Sequence, residues 1–339
     1  MSPTPAVGLC GAGMISAAHA AAAQSLGWPI AWVASRTTKS ARRRAAGLGA
    51  AVLTYDDMPG GADLVIVSTP PADHPARVRS LLAAGVAVVV EKPLCTTLAD
   101  ADALVTAAEQ HDNRLLYAEN LAYAPTITAM TTSVSTLGAL HHLEVRVVNP
   151  RPSWGDFLTD EWGGGALFDL GVHPLALALL LAAPATVVGV EASLGGGHDH
   201  GTDEHAEVRL HFDSGLVGEV VASWRGGPQP LWDAEVASAS GVLRAELFPQ
   251  PSLDRDGAPI VPQTGDPRPI VDYGYVGQLE AFWADVDQHR APLMDAAFGR
   301  TVLDVVCAAY TSAHFAGALE TVPFRGRRDR TPLELWRGT

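Results

Sequence analysis

The sequence predicts an α/β protein in two parts: a doubly wound parallel sheet, followed by an α+β domain with a mainly antiparallel open sheet. A short apolar strand runs through glycines into an alanine-rich helix over residues 6–19, and continuous apolar runs then recur between helical stretches as far as about residue 120. After Pro125 these runs give way to segments that alternate. Strands buried on both faces read as unbroken apolar runs, whereas half-buried strands alternate with period two.

The glycine turn, Val7-Gly8-Leu9-Cys10-Gly11-Ala12-Gly13-Met14-Ile15, reads as the first βα turn of a Rossmann dinucleotide-binding unit. Gly11 permits the tight bend. Gly13 lets the backbone approach a pyrophosphate at the positive end of the next helix, which begins around Met14 and Ile15, and Ser16 takes the third place of the pattern. The setting gives the pattern its meaning: a strand before, a helix after, and a second strand at residues 30–34. That second strand ends in Ala34-Ser35-Arg36-Thr37, with no carboxylate to bond ribose hydroxyls. A hydroxyl followed by a guanidinium suits the extra phosphate of NADP, so NADP is the expected cofactor, with NAD as the alternative.

The remaining elements follow in order. Residues 62–68 and 86–90 read as buried parallel strands, 75–85 and 98–111 as helices, and 115–118 as a last short strand. A helix is expected over 126–136, then strands over 143–148, 207–212, 217–223 and 242–246, with Asp213-Ser214-Gly215 as a turn. Residues 252–269, rich in proline, glycine and aspartate, read as a loop region, and 278–289 and 300–317 return to helical spacing. The expected division is a dinucleotide-binding domain over 1–121 and a substrate-binding and oligomerisation domain over 122–339.

With 339 residues, of which 47% are hydrophobic, the chain can bury the cores of two domains. A net charge of −14 argues against nucleic acid or an anionic membrane as partner, which would need a basic face. The Arg-rich stretches at 42–44 and 325–330 read as solvated surface. Three cysteines without a CxxC pattern, no leader-like N-terminus, and a longest apolar run (174–184) too short for a bilayer together lead to the expectation of a cytoplasmic protein.

Lysine usage points to chemistry. The chain has 21 arginines but only two lysines, Lys39 and Lys92. Lys92 follows Glu91 at the carboxyl end of a buried strand, where doubly wound folds hold ligands, and a partly buried lysine can take part in proton transfer as arginine cannot. In Gly163-Gly164-Gly165-Ala166-Leu167-Phe168-Asp169-Leu170-Gly171-Val172-His173, a helix would set Asp169 and His173 four residues apart on one face, with His173 as acid/base and Asp169 orienting it or touching a substrate hydroxyl. Trp154 and Trp162 flank the glycines and are candidates for the wall of a sugar site. His198-Asp199-His200 with Asp203-Glu204-His205 has metal-ligand composition, but its glycine-rich setting favours a solvated polar loop; no metal is expected.

Over nearly its whole length the chain resembles the glucose-fructose oxidoreductase and inositol dehydrogenase family, Gfo/Idh/MocA. The resemblance is carried by Gly8 to Gly13 with His19, Ser68-Thr69-Pro70-Pro71 with His74, Glu91-Lys92-Pro93-Leu94, the glycine-to-His173 segment and the region from Gln278 to Phe282. It implies an NAD(P)-dependent oxidoreductase acting on a secondary alcohol or ketone of a sugar, cyclitol or polyol. Lys92, Asp169 and His173 would be the catalytic set, and Thr69, Pro70, His74, Glu91 and Lys92 would line the nicotinamide end. Tyr123 would join the substrate site, and the second sheet would form homodimers or homotetramers. Ala122 and Ala176 depart from the arginine and aspartate that many relatives carry, which bears on substrate identity. Two other activities stay open on the same fold: a glycosidase-like enzyme that oxidises a sugar transiently, and a dinucleotide-binding sensor without catalysis.

Overall fold

Val7–Cys10 (β1), Ile30–Ala34 (β2), Ala51–Leu53 (β3), Leu64–Val67 (β4), Ala87–Glu91 (β5) and Leu115–Ala118 (β6) form one six-stranded sheet, ordered β3-β2-β1-β4-β5-β6 and parallel throughout. Every residue of β1, β4, β5 and β6 is buried, which is why these strands are continuous apolar runs. The strand order reverses between β1 and β4, and the carboxyl ends at such a switch point are where open α/β sheets bind ligands. The protein is described here from a computed structural model covering residues 4–58, 60–153, 155, 157–196, 201–261 and 268–339.

The chain forms two compact units. The first comprises Met1–Cys95, Ala99–Tyr123 and Pro269–Arg300, the second Thr96–Leu98, Ala124–Arg268 and Thr301–Thr339. The expected division at 121/122 therefore misses a third segment of the first unit. Its helix Tyr275–Asp287 packs on helix Ile15–Ser25, with Trp28 edge-on to Trp283 at 6.4 Å and His19 edge-on to Tyr275 at 5.5 Å. Asn120 Nδ2 donates to the Tyr273 carbonyl at 2.6 Å, and the Tyr117 N–H to the Met294 carbonyl at 2.8 Å. Burial of helix faces, not contiguity in sequence, draws the boundary.

In the second unit, Leu140–Val148 (β7), Val187–Gly196 (β8), Asp203–Phe212 (β9), Val217–Ser223 (β10), Leu231–Ser238 (β11), Gly241–Phe248 (β12), Ser252–Arg255 (β13), Ala258–Val261 (β14) and Glu320–Thr321 (β15) make a nine-stranded sheet. Its order is β14-β13-β12-β11-β7-β10-β9-β8-β15, antiparallel except for the parallel pair β7 and β10. Helices Pro125–Val134 and Val172–Ala182 pack on it. The alternate residues Ala206, Val208, Leu210 and Phe212 of β9 are buried, while Glu207 and Arg209 between them are exposed. The expected loop at 252–269 is in part a hairpin: β13 and β14 join through Asp256 and Gly257, both at positive φ (53° and 80°), the conformation that an Asp-Gly pair favours. Residues 262–267 of that stretch lie outside the described residues. All three cysteines are free and buried, and burial pushes the Cys10 thiol up to about 12. Among the described residues no single helix is long and apolar enough to cross a membrane.

Candidate active site

At the end of β1, Gly11 adopts φ +124°, and a Cβ there would stand 2.5 Å from Ser68 Oγ and 2.6 Å from the Ser68 carbonyl oxygen. Only glycine fits, because Ser68, the residue after β4, comes too close. A Cβ at Gly13 would meet no atom within 4 Å, so a side chain there would fill the open space over the turn. Helix Ile15–Ser25 begins at Met14 without a side-chain cap or an acidic residue in its first turn. Its first N–H groups carry the positive end of the helix dipole toward that space. The Ser16, Ser68 and Thr69 hydroxyls are buried and have no hydrogen-bond partner in the protein. A glycine cradle, a bare helix start and three idle hydroxyls fit a dinucleotide pyrophosphate. Arg44 Nη2 fixes the turn from outside by donating to the Gly13 carbonyl at 2.8 Å.

At the end of β2, Ser35 is half-buried and Arg36 exposed. Tyr55 and Arg77, which were not legible as site residues, join them. The Tyr55 hydroxyl accepts the Arg36 backbone N–H, and the Arg77 guanidinium lies 3.9 Å from the centre of the Tyr55 ring. Tyr55 thus ties the Arg36 backbone to the Arg77 guanidinium, which lies over its ring, and sets a cation and an aromatic face beside the end of β2.

Glu91 and Lys92 close β5. Glu91 is buried and bound on both sides: Oε1 is 2.6 Å from Nε2 of the fully buried His19, and Oε2 accepts the Lys92 backbone N–H at 3.1 Å. His74 is also fully buried, and its ring nitrogens reach the carbonyls of Thr69 (2.8 Å), Pro93 (3.1 Å) and Leu94 (3.1 Å). Burial lowers its pKa, favouring the neutral ring. The side chains of Glu91 and His74, expected at the nicotinamide end, hold through these bonds the loops that carry Thr69, Pro70 and half-buried Lys92. Tyr123 is likewise engaged: its hydroxyl accepts the Met294 N–H at 3.3 Å.

Asp169 and His173 belong to the second unit and are both nearly buried, at 8% and 7% exposure. The single helix expected to carry them is broken. Helix Ala166–Asp169 ends where the N–H groups of Leu170 and Gly171 both reach the Ala166 carbonyl (2.8 and 2.9 Å), and the segment Asp160–Asp169 and helix Val172–Ala182 meet at a bend of 45°. Gly171 is required at the break, since a Cβ would lie 2.5 Å from the Leu167 carbonyl oxygen. The His173 ring sits 5.5 Å from that of Trp232, whose Nε1 donates to Asn149 Oδ1 at 2.7 Å. Trp232 thus packs beside His173. Trp162 is half-buried and edge-on to Phe157 at 4.7 Å. Trp154 and His198, Asp199 and His200 lie outside the described residues. Among the described residues no group of three or more His, Cys, Asp or Glu could hold a metal ion.

Residues 6–119 match the family model described as "Oxidoreductase family, NAD-binding Rossmann fold", and residues 133–244 match "GFO/IDH/MocA C-terminal domain". A dTDP-3,4-didehydro-2,6-dideoxy-alpha-D-glucose 3-reductase of Saccharopolyspora spinosa is 32% identical over 197 residues, 56% of this chain and 58% of that protein. A D-apiose dehydrogenase of Paraburkholderia graminis is 30% identical over 209 residues, 58% of this chain and 49% of that protein. The match thus spans about half the length of these curated relatives. The solved structure of GenD2 from gentamicin A biosynthesis, in complex with NAD, superposes with a TM-score of 0.84 at 24% identity, covering 95% of this chain and 97% of GenD2. That likeness is one of fold.

Proposed function

The chain belongs to the GFO/IDH/MocA oxidoreductase family, and from that premise we propose that it is an NAD(P)-dependent oxidoreductase acting on a secondary alcohol or ketone of a sugar, cyclitol or related polyol. The observation that carries this reading is the dinucleotide cradle of Gly11, Gly13 and the uncapped start of helix Ile15–Ser25, in the same unit as Lys92. The two curated relatives named above support the substrate class, since by name one acts on a sugar nucleotide and the other on a sugar.

The backbone of the turn and the hydroxyls of Ser16, Ser68 and Thr69 hold the dinucleotide, with Met14 and Ile15 at the helix start and Thr69 and Pro70 beside the nicotinamide. When bound, the nicotinamide supplies the hydride acceptor or donor. Lys92 donates a hydrogen bond to the reacting oxygen. His173 takes or returns the proton of that hydroxyl, Asp169 orients His173, and Trp162 and Trp232 give the sugar ring apolar surface. Ser35 and Arg36, with Arg77 beyond Tyr55, favour NADP over NAD.

The test is oxidation of D-apiose, D-xylose, myo-inositol and dTDP-glucose with NADP+ and NAD+, following the absorbance of the reduced nicotinamide and product masses together. Lys92→Met keeps the bulk but removes the donor, and turnover is expected to fall about a hundredfold. Wild-type turnover in that variant removes Lys92 from the mechanism.

A further inference from the structure

We propose that Asp203 and Tyr310 are a positioning pair that fixes the backbone leading to Asp169 and His173; the proposal rests on the reading of those two side chains as the reacting groups. Asp203 opens β9 and Tyr310 lies in helix Ala296–His314, and both are fully buried. The Tyr310 hydroxyl donates to Asp203 Oδ1 and accepts the Gly165 N–H at 3.0 Å. Asp203 Oδ2 accepts the Leu167 N–H at 2.8 Å. Two elements separated by 107 residues in sequence therefore close on one short stretch of main chain.

The grip is tight. A Cβ on Gly165 would stand 2.2 Å from the Asp203 carbonyl oxygen and 2.4 Å from Oδ1, so only glycine lets the strand come this near. Gly165 caps helix Ala166–Asp169 without a side chain of its own, and Asp203 supplies the missing acceptor from a different element. From the held residues a ladder of main-chain bonds leads on: Asp169 N–H to the Gly165 carbonyl (2.9 Å), Leu170 N–H to Ala166 (2.8 Å) and His173 N–H to Leu170 (3.2 Å). The C-terminal helix Pro332–Arg337 braces the same stretch, through the Leu333 N–H on the Gly163 carbonyl at 2.9 Å and Trp336 edge-on to Tyr310 at 6.3 Å.

A buried carboxylate is a costly way to fill a core. Well-packed apolar residues of similar volume often give equal or greater stability, so a satisfied polar pair on the backbone of a reacting segment points to geometry as its use. Burial raises the Asp203 carboxyl to about 6 even with its hydrogen bonds, a measure of that cost.

The test uses the full chain with Tyr310→Phe, which keeps the ring and removes only the hydroxyl, and Asp203→Asn, each checked for folding by circular dichroism. The side chain of His173 is titrated by NMR in histidine-labelled protein, its signal assigned by loss in His173→Gln; no substrate is needed. The expected result is a displaced or broadened His173 titration in both variants. With whichever panel sugar is oxidised, turnover is expected to fall roughly tenfold or more while the KM for the dinucleotide stays within about twofold, as for loss of geometry at the reacting groups alone. An unmoved His173 titration and wild-type turnover in Tyr310→Phe, with His173→Gln inactive, overturn the positioning role alone. Full turnover in His173→Gln overturns the reading beneath it, and the proposal with it.

Discussion

At the scale of single residues, three positions make separable predictions. Gly11 combines φ +124° with a forbidden Cβ contact to Ser68, so Gly11→Ala is expected to lose about 2 kcal/mol or more of stability and to impair dinucleotide binding, checked by urea unfolding and by calorimetric titration with NADPH. If Arg36 reads a 2′-phosphate, Arg36→Ala weakens NADPH binding by roughly 1.5–3 kcal/mol, the scale of a hydrogen bond to a charged group, and leaves NADH nearly untouched. Equal losses for both dinucleotides would make Arg36 a stacking residue only. Asp203 gives a pH signature. Its carboxyl is raised to about 6 by burial, against about 3.9 in an unfolded chain. Between about pH 4 and 6 the native state holds a proton that the unfolded chain has released, so this contribution to stability is fully present below pH ~4 and lost as pH rises through about 6. The stability of the wild type relative to Asp203→Asn should therefore fall by on the order of 2–3 kcal/mol from pH 4 to 7, measured by urea unfolding across that range. A difference independent of pH would mean that the carboxyl titrates normally.

At the scale of elements, the last helix is held by its own start. Thr331 Oγ1 accepts the Glu334 N–H at 3.3 Å while Glu334 Oε2 accepts the Thr331 N–H at 2.8 Å, a reciprocal capping box, and Arg337 pairs with both oxygens of Asp160 at 2.8 and 2.9 Å. Thr331→Ala is expected to cost about 1 kcal/mol, read as a lower unfolding temperature. This helix braces the glycine segment, and neither that partnership nor the grip of Asp203 on Gly165 is marked in the sequence. What was legible was periodicity and local chemistry: the buried runs that became β4 and β5, the glycine turn, and Lys92 as one of two lysines. A spacing of four between Asp169 and His173 presumed one helix, whereas Gly171 marks a break set by close contact with Leu167. Pairings such as His19 with Glu91, 72 residues apart, depend on how strands and helices stack, and no local pattern encodes them.

At the scale of the whole molecule, the nucleotide-binding unit is assembled from separated stretches of chain, and this can be tested by cutting. Helix Tyr275–Asp287 covers one face of helix Ile15–Ser25, and Gly277 lies so close to Tyr123 that a Cβ would stand 2.8 Å from its carbonyl oxygen. The Met294 carbonyl accepts from Tyr117 at 2.8 Å, and Leu116 bridges Asp295 beyond the edge strand β6. A polypeptide of residues 1–121 keeps all six strands of the parallel sheet but exposes the apolar surface that Trp283, Leu279 and Phe282 cover, and leaves β6 as an open edge. It is expected to aggregate or to unfold without a cooperative transition, and to bind NADPH weakly. Joining residues 1–123 to 269–300 through a short glycine-serine linker restores the packing, because Tyr123 and Gly277 are neighbours. That polypeptide should show a cooperative thermal transition that rises with NADPH concentration, as binding to the folded state alone requires. Scanning calorimetry of both polypeptides, with and without NADPH, decides the matter. Equal cooperativity and an equal NADPH-dependent rise for residues 1–121 would show that the parallel sheet stands without its third segment, and that the boundary at 121 is the true one.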